Sequence, residues 1–209
     1  MINKTIWLLS LVFILACNND KKVEVTSEKA GSEHSGHSMA AVSNNYADSV
    51  NNGLISADTL KGSPHRTAMA TVNGTHVHIE YSSPGVKGRV VWGGLVAYDK
   101  VWVTGAHRAT SVQFSKDVTV NGQKIPAGQY AFFTIPGKEK WIIILNTRYD
   151  QHLADDYNEK EDLVRVEVKP EEHDLVQRLT YAVNKIDDKS GEIVMQWEKI
   201  VIRLPFTTI

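Results

Sequence analysis

From Thr67 onward the chain alternates apolar and polar residues in short runs, and Asn-Gly pairs break those runs. No other feature constrains the fold as much. A period of two sends successive side chains to opposite faces of a strand, whereas an amphipathic helix needs a period of about 3.6. Thr67 to Val72 and Thr75 to Tyr81 flank Asn73-Gly74, and Val118 to Val120 and Gln123 to Ile125 flank Asn121-Gly122. Asn-Gly supplies the positive φ angles of a two-residue hairpin turn, so each unit predicts an antiparallel pair. Further strands are expected over 111–114, 130–135, 141–146, 163–169, 178–186 and 192–204. Helical patterning is confined to a turn or two between Tyr149 and Asp162. The expected fold is therefore all-β, an antiparallel two-sheet β-sandwich over residues 65–209. Within it, Ile125-Pro126-Ala127-Gly128-Gln129-Tyr130 predicts a tyrosine corner, with the Tyr130 hydroxyl bonded back to the backbone upstream.

The N-terminal part obeys different rules. Lys4 precedes an apolar run from Ile6 to Ala16 that ends at Cys17, the only cysteine of the chain. The run is too short to span a bilayer, which takes about 20 apolar residues, and Asn18-Asn19-Asp20-Lys21-Lys22 follows at once. Residues 1–16 thus read as a signal peptide. Ile14-Leu15-Ala16-Cys17 resembles the bacterial lipobox, in which the cysteine thiol is lipidated and becomes the mature N-terminus. The expected location is the bacterial cell envelope, with the protein anchored to the membrane through lipid on Cys17. With that thiol occupied, no cysteine remains for a disulfide, a thiolate nucleophile or a metal. Residues 17–64 are rich in Ser, Asn, Gly, Lys and Glu without sustained periodicity, the composition of a flexible, disordered linker. Inside it, His34, His37 and Met39 lie close enough in sequence to wrap one soft ion such as copper(I). Asp48-Ser49-Val50 and Asp58-Thr59-Leu60 resemble the short O-glycosylation sequon of Bacteroidota envelope proteins. A formal charge of -1, from 23 basic and 24 acidic residues, gives no electrostatic case for nucleic acid as a partner.

Residues 80–118, EYSSPGVKGRVVWGGLVAYDKVWVTGAHRATSVQFSKDV, and 125–141, IPAGQYAFFTIPGKEKW, closely resemble the family of domain of unknown function 2911 (DUF2911). Its members are mostly Bacteroidota envelope proteins. The resemblance covers roughly Thr67 to Phe206 and implies a β-sandwich, but it implies no activity. It also marks a departure, because members usually carry Asn-Glu where this chain has His107-Arg108. If that pair belongs to a site, an amide and a carboxylate have become an imidazole and a guanidinium.

Candidate chemistry concentrates in three places. On the strand Thr75 to Tyr81, the period of two gathers His76, His78 and Glu80 on one face, where alternate residues lie roughly 7 Å apart. Such a set could bind zinc or copper, with His107 as a further ligand, or it could be the ordinary polar face of an antiparallel strand. Trp92, Tyr98 and Trp102, with Arg89 and Arg108, could form an aromatic and cationic pocket for a sugar or an anion, or could fill the core. Asp150, His152, Asp155, Asp156, Glu159, Glu161 and Asp162 make an acidic loop whose spacing fits no EF-hand pattern. The chain has no GxSxG, GxxxxGK[ST], HExxH or GxGxxG motif, and no catalytic residue is assigned. Two function classes follow. One is a lipid-anchored module that binds an unidentified small molecule or envelope partner; the alternative is a metal-dependent enzyme or metal-binding protein built on His76, His78 and Glu80.

Overall fold

The computed structural model describes residues 46–209. The leader, Cys17 and the His34, His37 and Met39 cluster lie outside the described residues. Ten strands follow one another: β1 His65–Val72, β2 Thr75–Ser82, β3 Thr110–Phe114, β4 Val118–Val120, β5 Gln123–Ile125, β6 Gly128–Ile135, β7 Trp141–Asn146, β8 Asp162–Val168, β9 Glu171–Lys185 and β10 Ser190–Thr208. They form a six-stranded sheet, in the order β1-β2-β3-β6-β7-β8, and a four-stranded sheet, β5-β4-β10-β9, each with antiparallel pairing. The all-β sandwich expected from the alternation is the observed fold.

Both Asn-Gly pairs do what their backbone freedom allows. Asn73 and Gly74 have φ angles of 47 and 70, Asn121 and Gly122 of 49 and 77, and the strands beside them pair in the registers Val72↔Thr75 and Val120↔Gln123. These turns set which side chains face inward. In β2, Val77, Ile79 and Tyr81 are buried between the sheets, while His76, His78, Glu80 and Ser82 face outward. The tyrosine corner also forms, the Tyr130 hydroxyl donating to the Pro126 carbonyl at 2.8 Å.

Two elements run past their expected ends. β9 begins at Glu171 rather than near Arg178 because residues 171–175, all exposed and without alternation, are held by pairing with β10 (Glu171↔Val201, Glu172↔Ile200). The 19 residues of β10 can serve two partners because the strand bends: its register against β9 shifts on both sides of Glu198, whose φ is 55. Past that bulge the strand reaches β4 at Thr207 and Thr208.

The connection from β2 to β3 closes one end of the sandwich. Val86, Val91 and Val96 from it are buried, and Trp92 and Trp102 meet Trp141 of β7 and Trp197 of β10. A second, smaller core lies on the outer face of the six-stranded sheet. There Val103 and Ala109 pack on Ala131, Phe133 and Ile144, with Ala154 and Tyr157 beside them. Two loops, 101–109 and 147–158, therefore cover the β6 and β7 part of that face, beside the polar face of β1, β2 and β3.

The expected linker to residue 64 needs correction over its last part. Residues 46–51 are helical, and residues 46–62 are strapped against β9 rather than solvated. Ala47 and Val50 are buried. Asn51 imitates a strand neighbour, donating from Nδ2 to the Arg178 carbonyl at 3.0 Å and accepting the Arg178 N–H at 2.8 Å. Composition points to disorder because Ser, Asn, Asp and Gly interrupt the apolar residues of this segment without periodicity; the order comes from the buried Ala47 and Val50 and from polar groups that bond one buried arginine.

Candidate functional site

A cleft of about 190 Å³ opens at the step between the bare sheet face and the loops that cover its neighbour. Glu80 and Ser82 of β2, Ser111 of β3 and Gln129 of β6 form the floor, with His65 of β1 at the rim. Cross-strand pairing puts them there. Glu80 sits opposite Ser111 and His65 opposite Ser82, all on the outward side of the pleat; Ser111 is mostly covered there, and its hydroxyl accepts from Gln129 Nε2 at 3.0 Å. Arg108, Ala109, Tyr149 and Asp150 form the wall.

The wall is built by two loop segments that pair as short extended chains. The Ala109 N–H donates to the Gln151 carbonyl at 2.9 Å, the Leu153 N–H donates to the His107 carbonyl at 2.7 Å, and Arg108 bridges His152. Behind it, Asn146 is fully buried and bonded on both ends of its amide, donating to Asp162 Oδ1 at 2.8 Å and accepting from the Arg148 N–H at 3.0 Å. The acidic loop is thus stapled to the sheet, and a 3-10 turn over Glu159–Glu161 is its only helical piece among the described residues.

The arginine of the cleft, Arg108, is matched inside it. Arg108 Nη2 donates to Asp150 Oδ1 in an ion pair exposed at both ends, 71% and 65%. Glu80 lies between two imidazoles, with Oε1 3.3 Å from His78 Nε2 and Oε2 3.9 Å from His65 Nε2. Hydroxyls and an amide fill the intervals. The surface offers donors and acceptors close together with no unmatched cationic group among the cleft residues.

The expected metal face is present as a face but not as a ligand set. His76 turns its Nδ1 toward Thr71 Oγ1 at 3.3 Å, His78 turns to Glu80, and their ring centroids stand 6.2 Å apart. His107 is exposed and does not line the cleft. Among the described residues, no three His, Cys, Asp or Glu side chains are arranged to hold a metal ion. His107 has a φ of 65, in the left-handed region where Asn, Asp and His are enriched. The residue after it is the one that faces the cleft.

The aromatic and cationic pocket does not assemble. Trp92 packs edge-on against Trp102, Trp141 and Trp197 at 5.8, 4.9 and 5.6 Å, and Trp102 stacks on Trp197 at 5.7 Å. Trp102 Nε1 donates to the Gly105 carbonyl at 3.1 Å, whereas Trp92 Nε1 and Trp197 Nε1 are buried without a partner among the described residues. Tyr98 lies over Gly93, where a Cβ would come within 2.9 Å of its ring. Arg89 donates to the Val86 and Gly85 carbonyls. Only Arg108 of that set reaches the cleft. Ser82, Ser111 and Gln129 carry no site signal in the sequence, because lone polar residues on an outward strand face mean nothing until the strand order is known. In the sequence Tyr149 marks only the start of the loop and Asp150 is only one residue of its acidic run.

No curated protein and no solved structure matches the chain. The family model described as "Protein of unknown function (DUF2911)" matches residues 63–206, so the chain belongs to the DUF2911 family.

Proposed function

We propose that this chain is a membrane-tethered binding module whose β-sandwich takes a small polar ligand in the cleft between Glu80 and Arg108. The observation that carries the reading is the step itself, where a flat polar sheet face meets a loop wall fixed from behind by the buried Asn146. Concavity with a few convergent polar groups on rigid elements is the usual form of a small-molecule site. The lipid anchor is the second part of the proposal and rests on Cys17 behind its apolar run. Among the described residues no helix is long and apolar enough to cross a membrane. With the domain held from Tyr46, the span from Cys17 can reach at most about 100 Å, taking about 3.3 to 3.6 Å per residue.

Two measurements test the two parts. A ligand-observed NMR screen of small polar compounds should give hits that Ser82→Trp, which fills the cleft, abolishes; hits that survive this substitution place binding elsewhere. Mass spectrometry of the membrane fraction should find acyl chains on Cys17, and Cys17→Ser should release the protein to the soluble fraction. An unlipidated mature N-terminus defeats the anchor without touching the cleft.

A further inference from the structure

Resting on the binding reading above, we propose that the cleft takes a neutral saccharide unit, its ring against Tyr149 and its hydroxyls shared between Glu80 and the Arg108 and Asp150 pair. The argument is one of charge and shape. An anionic ligand needs an uncompensated cation, but Asp150 already holds Arg108, and Glu80 adds negative charge beside it. A cationic ligand would have to take Glu80 from His78 and His65 and face Arg108 across the cleft. An apolar ligand would cover the carboxylate, hydroxyl and amide groups of the floor and leave them without partners. A neutral polyol avoids all three costs. Each of its hydroxyls both donates and accepts, so it can insert among paired donors and acceptors without stranding either partner.

Tyr149 supplies the remaining requirement. It is 45% exposed at the wall, an aromatic face left open to solvent next to polar groups. One side of a sugar ring is a patch of C–H groups, which an aromatic face covers while the ring edge stays free for hydrogen bonds. The Arg108 and Asp150 pair is solvent-exposed and hence cheap to rearrange around such a ligand.

The test uses saturation-transfer NMR on the full chain. The probes are methyl glycosides of glucose, galactose, mannose and N-acetylglucosamine, with methyl glucuronide and ethanolamine as the charged members. The expected result is saturation of ring C–H protons in at least one neutral glycoside. Its affinity should fall about tenfold or more in Glu80→Gln and in Tyr149→Ala and be kept in Tyr149→Phe, as loss of a charged hydrogen bond or an aromatic contact implies. Both positions are exposed enough that folding is retained, which circular dichroism checks. If only a charged probe binds and the same substitutions weaken it, the saccharide class is overturned while the cleft stands as a binding site. If no probe gives a signal that Glu80→Gln or Tyr149→Ala alters, both readings fall.

Discussion

Asp58 Oδ1 accepts from Arg178 Nη2 at 2.8 Å in an ion pair sealed from solvent at both ends, with side chains 4% and 0% exposed. The remaining bonds of Nη1 and Nη2 go to backbone carbonyls, while Nε is buried without a partner among the described residues. Nη1 donates to Ser83 at 3.0 Å and Gly62 at 3.3 Å, Nη2 also donates to Leu60 at 2.7 Å, and the Tyr46 ring lies 5.8 Å from Cζ. Every one of these partners except Ser83 lies N-terminal to residue 63, where the family match begins. The strap is thus a part of the folded unit that the family pattern does not include.

Removing one partner of a buried pair leaves an uncompensated charge, which costs about 3 to 5 kcal/mol. Asp58→Ala should therefore lower the melting temperature by about 6 to 20 °C, at about 2 to 4 °C per kcal/mol for a chain of this size. Replacing both partners, as Asp58→Leu with Arg178→Met, should recover most of the loss. A drop below about 2 °C for the single change would show that the strap does not hold the domain, again at the same scale.

Close approach makes a second position sensitive. A Cβ on Gly85 would collide with Asp58 Oδ2, an oxygen enclosed without a hydrogen-bond partner among the described residues. Gly85→Ala should thus act through the same ion pair and destabilise by about 1 to 3 kcal/mol, the usual cost of overpacking. In the Asp58→Ala background the same substitution should cost much less, and a double-mutant cycle measures that coupling. Equal costs in both backgrounds would mean that the clash is relieved some other way.

The strands were legible because each carries its own alternation, and the hairpins because Asn-Gly is a local device that needs no tertiary partner. The strap was not. Nothing in residues 46–62 repeats, and its order depends on an arginine more than a hundred positions away that reads in sequence as one polar residue in a strand. The site divides the same way. Glu80 follows from the period of two in β2, whereas its neighbours Ser111 and Gln129 follow only from the order β2-β3-β6. The tryptophans misled as ligand candidates because a loop rich in aromatics and glycines looks alike whether it lines a pocket or plugs a core.

Alkaline pH should loosen the loop behind the cleft. Burial first, and then the hydrogen bond its hydroxyl donates to Asp162 Oδ2, push the Tyr157 pKa up to about 12, against an opposing contribution from Arg165. A group held protonated in the folded state stabilises it fully below its unfolded value, near 10, and that contribution is lost as pH rises through the folded value. Denaturation midpoints should accordingly fall between pH 10 and about 12, and Tyr157→Phe should flatten part of that fall. Burial raises the pKa values of Tyr130 and Tyr181 too, so the slope should shrink rather than vanish. An unchanged slope in Tyr157→Phe would assign the effect to those two alone.

Zinc and copper(II) decide between the polar face and a metal face on β2. An ion that binds the folded state alone, at about 100 times its dissociation constant, stabilises by roughly 2.7 kcal/mol, which for this size corresponds to about 5 to 11 °C. Capturing an ion between His76 and His78 would require both side chains to leave their partners, Thr71 and Glu80, and to swing together across 6.2 Å. The expected result is no shift of that size. The measurement should use a chain lacking residues 1–40, which removes His34, His37 and Met39 while keeping the whole of the strap from Tyr46. A chain starting at His65 would lose Asp58 and its hold on Arg178, and its lower stability would obscure the readout. A shift of 5 °C or more that disappears in His76→Ala with His78→Ala would mean that the two rings do converge on a metal, and the face of β2 would then be a metal site beside the cleft.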